Sequence, residues 1–221
     1  KEQIAVVEVQ NGSIVDNGYY TGIILRSEEV VTAQSSGYIN FYVGNGEKVA
    51  KDGNVYMLSA SASSDTASDF SGFSSTDYAD ISRIISLYTS NYSDSMYSDL
   101  YTFKYDLQNQ ISEALSSHNI SAIQSAGQGF DSVSAEKSGI VCYTYDGMEG
   151  LTRDQITDDM FNSNNYEKQQ IVSNQWIDSG NTAYKLVTDD NWSIVIKLTP
   201  EQARNLSQET SVTIRFAKDN V

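Results

Sequence analysis

The sequence predicts a mainly β fold with an α insertion, and three observations carry that prediction. Segments rich in Val, Ile, Tyr and Thr, broken by Asn-Gly and Gly-containing turns, fill the region before about residue 60 and return after residue 138. Between them lie two stretches whose apolar residues recur every three or four positions, the period of an amphipathic helix. A polar run joins the two stretches, so the simplest geometry is an antiparallel helical hairpin. The hairpin divides the β part, and the two β halves must meet across it if each is to find a partner sheet.

Ile4 to Val9 and Tyr19 to Ala33 read as strands, separated by the turn dipeptides Asn11-Gly12 and Asn17-Gly18. Gly37 to Val43 and Val49 to Leu58 continue the pattern around a turn at Gly44-Asn45-Gly46. Ser59 to Ser75, dominated by Ser, Ala, Asp and Thr, buries little and reads as a flexible or surface connection. Tyr78, Ile81, Ile85 and Tyr88 mark the first helix; Met96, Leu100, Phe103, Leu107, Ile111 and Leu115 mark the second. Ser90 to Asp94 is the polar link, and a second helix of about 25 residues spans roughly 35 to 40 Å. The Ser-, Gly- and Gln-rich passage from Ser121 to Ser138 leads to a strand at Gly139 to Tyr145. Thr152-Arg153-Asp154-Gln155 has capping-box spacing and predicts a short helix to Phe161, followed by a loop from Asn162 to Tyr166. Gln170 to Ile177 and Thr182 to Thr188 read as strands around a turn at Asp178-Ser179-Gly180. A strand at Trp192 to Leu198 precedes a second capping box, Thr199-Pro200-Glu201-Gln202, which places the only proline at the first helical position. Ser211 to Phe216 is the last predicted strand.

Composition narrows the function. The 221 residues carry 29 acidic and 14 basic side chains, a formal charge of -15, which repels phosphate backbones and anionic headgroups and excludes nucleic acid as a partner. The 39% hydrophobic content, with 15 Tyr and 7 Phe, is enough to fold despite that charge. Cys142 stands in the apolar run Gly139 to Tyr143 and reads as a core thiol; a single cysteine forms no intrachain disulfide. His118, the only histidine, falls at a predicted helix end and is read as a solvated residue, not a triad member or zinc ligand. The Asp-rich stretches at Asp146 to Glu149, Thr157 to Asp159 and Asp189-Asp190 lack the spacing of a calcium loop and read as solvated faces. No catalytic set and no metal site is expected. Nothing approaches the roughly 18 apolar residues of a membrane span, and the chain opens at Lys1 without a signal peptide, so it is expected to be soluble as it stands.

Two segments look like copies of one unit. Ser36 to Leu58 contains Val49-Ala50-Lys51-Asp52-Gly53, and Gln175 to Val187 contains Ile177-Asp178-Ser179-Gly180. Each has an apolar residue, a tight turn in which glycine is expected to take a conformation side chains disfavour, and an apolar strand returning to the core. With these half-motifs placed on either side of a helical hairpin, the sequence resembles the HlyD-type periplasmic adaptors, or membrane fusion proteins, over most of residues 20 to 200. Gly22 to Val31 followed by Ser36-Gly37 looks like the lead-in strand of adaptor-like proteins from Gram-positive bacteria. Tyr184 to Val187 with Trp192 to Ile196 looks like the exit into a following barrel.

The resemblance implies a lipoyl-like barrel-sandwich hybrid interrupted by an antiparallel α-helical hairpin, plus a partial β-barrel domain. On that division residues 1–32 are N-terminal strands and 33–65 the first half of the lipoyl-like domain. Residues 66–125 are the hairpin, 126–188 the second half and 189–221 a β-barrel-like segment. An unrelated β-sandwich with a helical insertion would give the same element order. True lipoyl carriers bear a lysine at the tip after the first half-motif; here Ser59 to Ser64 stand there, and Lys48 and Lys51 lie in the preceding turn. No lipoylation and no other cofactor is expected.

The function implied is that of a non-enzymatic extracytoplasmic adaptor, membrane-anchored in the native protein. It would couple a membrane transporter or envelope complex to partner proteins, with self-association among its expected contacts and membrane contact only through an anchor outside this sequence. Tyr88, Tyr92, Tyr97 and Tyr101, with Tyr105 beyond them, concentrate on the hairpin beyond the needs of its apolar seam; the first four are the candidate partner-binding residues. The hairpin is short for docking to an outer-membrane channel and fits a single-membrane envelope better. The rival class is a cell-surface carbohydrate- or peptide-binding module in which Trp176, Trp192 and exposed tyrosines stack on the ligand.

Overall fold

The computed structural model describes residues 20–63, 72–92, 97–162 and 167–214. The expected strand at Ile4 to Val9, its turn dipeptides and the end of the last expected strand at Phe216 lie outside the described residues. In chain order the elements are β1 Gly22–Thr32, β2 Gly37–Phe41, β3 Lys48–Val49 and β4 Asn54–Ser59. The hairpin follows as α1 Ser75–Asn91 and α2 Tyr97–Ser125. The chain then runs through β5 Phe130–Ser134, β6 Gly139–Cys142, β7 Thr144–Tyr145, β8 Gln169–Gln170, β9 Gln175–Ile177, β10 Thr182–Ile196 and α3 Pro200–Leu206. Two four-stranded sheets form the body, one ordered β1-β10-β6-β3 and the other β5-β4-β2-β9; β7 and β8 make a separate ribbon. Each large sheet mixes strands from before and after the helices, so the halves do meet across the insertion.

Alternation along the strands builds the core. Ile39 and Phe41 point inward from β2, joined by Leu58 from β4, Val141 from β6 and Tyr184 and Leu186 from β10, all nearly inaccessible. Asn40, Tyr42 and Met57 take the alternate positions and face the other way, toward α2.

The two halves are related by an approximate two-fold. Gly37 pairs with Ile177 across β2 and β9, and Gly139 pairs with Val49 across β6 and β3. Ala33 N donates to Asn181 O at 2.8 Å as Ala135 N donates to Gly53 O at 2.9 Å, and Gly180 N donates to Ala33 O as Asp52 N donates to Ala135 O, each at 2.8 Å. On this correspondence Ala33-Gln34-Ser35-Ser36-Gly37 matches Ala135-Glu136-Lys137-Ser138-Gly139. Glu47, which accepts from Gly44 N at 2.9 Å, matches Glu149, which accepts from Asp146 N at 2.9 Å. The second half-motif therefore begins at Ser138, well before Gln175. Equivalent aromatics meet near the axis: Phe41 stacks on Tyr143 at 3.7 Å, and Tyr56 meets Tyr184 edge-on at 6.0 Å.

The turn glycines differ from expectation in one half. Gly180 has φ +90° as expected, but in the first half the positive φ of 66° belongs to Asp52, not Gly53. The space at Gly53 is tight instead, since a Cβ there would lie 3.0 Å from Ala50 O.

Other expectations are corrected by tertiary context. The second helix continues to Ser125, so Ser121 to Ser125 and His118 are helical; burial of Ser116, Asn119, Ile120 and Ile123 against the body outweighs the polar composition. The helix expected at 152–161 is two 3-10 turns, Arg153–Gln155 and Asp158–Phe161, with Thr152 N donating to Gln155 Oε1 at 2.8 Å. The strand expected at Gln170 to Ile177 is broken at Asn174, whose φ is 61° and whose N–H reaches Ile39 O at 2.7 Å. The strands expected at Thr182 to Thr188 and Trp192 to Leu198 are one strand that ends at Ile196, because pairing with β1 resumes at Arg26↔Trp192 after a bulge opposite Ser27. The capping box at Thr199 to Gln202 does start α3. Ser211 to Ile214 is not a strand; Val212 and Ile214 are exposed and pair with no strand among the described residues.

Candidate partner-binding surface

The hairpin starts with a capping box. Ser74 Oγ accepts from Asp77 N at 3.2 Å, and Asp77 returns a carboxylate oxygen to Ser74 N at 2.7 Å. Tyr88 of α1 stacks on Phe103 of α2 at 4.2 Å and 17°, fixing the antiparallel pair, and Tyr92 meets Tyr88 edge-on at 5.7 Å. Tyr88 thus sits in the seam, whereas Tyr92 is 59% exposed. Tyr97 and Tyr101 fall on α2, and their side chains lie outside the described residues. No residue of α1 is buried; Tyr78, Ile85 and Leu87 are open, as is Leu100 of α2. The distal hairpin therefore presents apolar and aromatic groups that its own seam leaves uncovered.

Toward its C-terminal end α2 does not stand free. Asn45, in the β2–β3 turn, donates to Tyr105 Oη at 2.7 Å and to Asn109 Oδ1 at 3.4 Å, while its own Oδ1 accepts from Tyr143 N at 2.9 Å. Ser116 Oγ donates to Ser173 Oγ at 2.7 Å, and Ser173 Oγ to Asn40 Oδ1 at 3.1 Å. Met57, Ile120 and Ile123 form a small buried cluster with Tyr42 packed against it. A groove of about 230 Å³ runs along this seam, lined by Tyr42, Asn45, Asn109, Glu113, Ser117 and their neighbours. Burial, then the carboxylates of Glu47, Asp80 and Asp77, push the Glu113 carboxyl above its ordinary value.

The matching face of the other half is held by charge. Lys185 takes the place that Met57 holds in the first half, and its Nζ lies 3.2 Å from Glu28 Oε2 and 3.3 Å from Glu149 Oε1. Burial works against the Lys185 charge, but Glu28 and Glu149 outweigh it and raise its pKa. Burial likewise opposes the Glu149 charge, and the Asp146 N–H and Lys185 outweigh it and hold the carboxyl low. Cys142, half-buried beside Lys185, has its thiol pushed up by burial, partly offset by the lysine charge.

The remaining singled-out residues scatter. His118 lies inside α2 with its imidazole packed on Gly72. Trp176, on β9, is half-exposed, meets Tyr38 edge-on at 5.2 Å and donates to Asp178 Oδ1 at 2.9 Å. Beside it opens a groove of about 480 Å³ lined by Tyr145, Ile171, Gln175 and Asn181 among others. Trp192 stands on the other sheet, opposite Arg26, so the two indoles do not share one platform. Lys48 and Lys51 are exposed. Among the described residues no group of three or more His, Cys, Asp or Glu could hold a metal ion, and no helix is long and apolar enough to cross a membrane.

Two features escaped sequence reasoning. The repeat of Ala33 to Gly37 at Ala135 to Gly139, each followed by a turn-closing glutamate, was a readable signal of the second half-motif. Nothing local marked the α2 seam, because it joins residues far apart in the chain.

A family model described as RND related, barrel-sandwich hybrid domain matches residues 28–188. Among solved structures the chain is similar to ZneB from Cupriavidus metallidurans, at 10% identity and a TM-score of 0.34, covering 79% of this chain and 67% of that one. It is also similar to the membrane fusion protein Spr0693 from Streptococcus pneumoniae R6, at 14% identity and a TM-score of 0.24, covering 86% and 73%. No curated protein matches.

Proposed function

Because the chain belongs to the RND-related barrel-sandwich hybrid domain family, we propose that it is a non-enzymatic, extracytoplasmic adaptor that couples a membrane transporter or envelope complex to partner proteins. The observation that carries this reading is the family match across residues 28–188, which spans both half-motifs and the hairpin between them. A membrane anchor elsewhere in the native protein, a single-membrane envelope and self-association belong to the same reading. So does the division into 1–32, 33–65, 66–125, 126–188 and 189–221. The hairpin supplies the contact: Tyr92 and the open residues Ile85 and Leu87 face solvent, and Tyr88, Tyr97 and Tyr101 complete the tyrosine-rich segment.

The test is site-specific photo-crosslinking in native cells from Tyr92, with a control position at Lys51 on the β body. The expected result is a crosslink from position 92 to an integral membrane transporter or envelope protein, and none from position 51. Crosslinks that never include such a protein would overturn the adaptor role. With the crosslinker moved to Leu87, replacing Tyr92 by Ser should weaken the capture while lowering the melting temperature of the body only slightly.

A further inference from the structure

We propose that the seam between α2 and the β5-β4-β2-β9 sheet is a reversible dock, from which the helical hairpin is released as a unit while the β body stays folded. The main core is closed without the hairpin, since every buried residue in it comes from the β body. A separate, small cluster of Met57, Ile120 and Ile123, with Tyr42, joins helix to sheet through apolar contact. The rest of the seam is polar: Asn45 to Tyr105 and Asn109, Ser116 through Ser173 to Asn40, and Ser61 to Gln128 at 3.0 Å. Such bonds exchange for bonds to water at little net cost, so they position the helix more than they hold it.

The docked state also leaves hydrogen-bonding capacity unused. Asn40 Nδ2 on the sheet and Asn119 Oδ1 on α2 are buried with no partner among the described residues, and both side chains are almost wholly inaccessible. Opening the seam gives these atoms water. Like charges add to the bias, because Glu113 of α2 lies within the field of Glu47 on the sheet side and of Asp77 and Asp80 on α1. The connection to β5 is suited to swing: Gly127 has φ +65°, and neither Gly127 nor Gly129 has any neighbouring atom within 4 Å of where a Cβ would stand. The device rests on this seam alone, whatever the hairpin meets when released.

Native-state hydrogen exchange across a series of low urea concentrations tests it. Once undocked, the hairpin has no core to hold its helices and they melt together, so the amides of Ile111 to Ile123 are expected to exchange as one group, with a strong common urea dependence and at least tenfold faster than the slowest amides of β2, β4 and β10. Replacing Tyr105 by Phe together with Asn109 by Ala spares the Asn45 bond to Tyr143. It should speed the helical group about fivefold to tenfold and leave the β amides unchanged. Ile123→Ala should act in the same direction through the apolar cluster. Helical amides that exchange individually without urea dependence would mean fraying and overturn the proposal. So would helical and β amides that move together in any of these proteins, since the hairpin would then be part of the cooperative core.

Discussion

The two halves of the β body share a backbone plan and differ in how they cover their outer faces. In the first half Asn40 and Met57 lie under α2, Met57 against Ile120 and Ile123. At the matching positions the second half has Cys142 and Lys185, and Lys185 is tied to Glu28 of β1 and Glu149 of the turn. The interior is nearly symmetric, with Phe41 on Tyr143 and Tyr56 on Tyr184, so the asymmetry is confined to the outside. One backbone thus presents a helical arm on one side and, on the other, a strand pair running on to Gly22 and Ile196. The backbone hydrogen bonds fix the repeat, and outward-facing side chains decide what each copy carries.

Swapping the outward residue breaks that contrast most strongly. Lys185→Met makes the second half resemble the first but leaves Glu149, with 3% of its side chain accessible, and Glu28, with 16%, without their cation. Chemical denaturation should register a loss of about 3 kcal/mol, of which Glu28→Gln in the same protein recovers a part. A loss near zero would mean that the cluster behaves as an ordinary surface pair.

The interior tyrosines give a pair of opposite signs. Tyr143 Oη donates to Val43 O at 2.7 Å, so Tyr143→Phe, which restores symmetry with Phe41, should cost about 1 to 2 kcal/mol in thermal or urea unfolding. Tyr56 Oη is buried with no partner among the described residues, and burial followed by Tyr184 pushes its pKa up to about 12. Tyr56→Phe should therefore be neutral or slightly stabilising. Equal costs for the two would contradict the hydrogen-bond assignment.

A smaller difference separates the turns. Gly180→Ala places a side chain at φ +90° in open space and should cost about 1 kcal/mol from backbone strain alone. Asp52→Gly, at the same place in the other half, should shift stability by no more than a few tenths of a kcal/mol. Urea midpoints of the two variants compare them directly.

Acidity distinguishes the two outer faces with little effect near neutrality. The Glu149 carboxyl is held below its ordinary 4.5, so its contribution is present above that value and lost as pH falls through its folded pKa. Lys185 is held above its ordinary 10.5; its contribution is full below that value and lost as pH rises through the folded pKa. Glu113, raised above 4.5, acts the other way: its contribution is full below 4.5 and lost as pH rises through its raised value. Mild acid should thus tighten the helix seam before stronger acid weakens the lysine cluster. Helix amide exchange and global unfolding, followed from pH 7 downward, should separate the two.

The sequence by itself determined the order of strands, hairpin and strands, the capping boxes at Thr152 and Thr199, and the alternation that puts Ile39, Phe41 and Leu58 inside. These are local patterns: a period of two or of three to four, a hydroxyl three residues before a carboxamide, and turn residues at fixed places. Only the tertiary structure decided that the positive φ falls on Asp52, that β10 runs unbroken past Asp189 and Asp190, and that the Ser-rich end of α2 stays helical. It also decided what the hairpin tyrosines meet: Tyr88 stacks on Phe103, while Tyr105, though exposed, is bonded to Asn45 and the exposed Tyr92 meets Tyr88 edge-on. Each of those outcomes depends on a partner distant in the chain, β1 beside β10 or Met57 beneath Ile120 and Ile123. The burial and pairing gained there exceed the weak local preference of the residues involved.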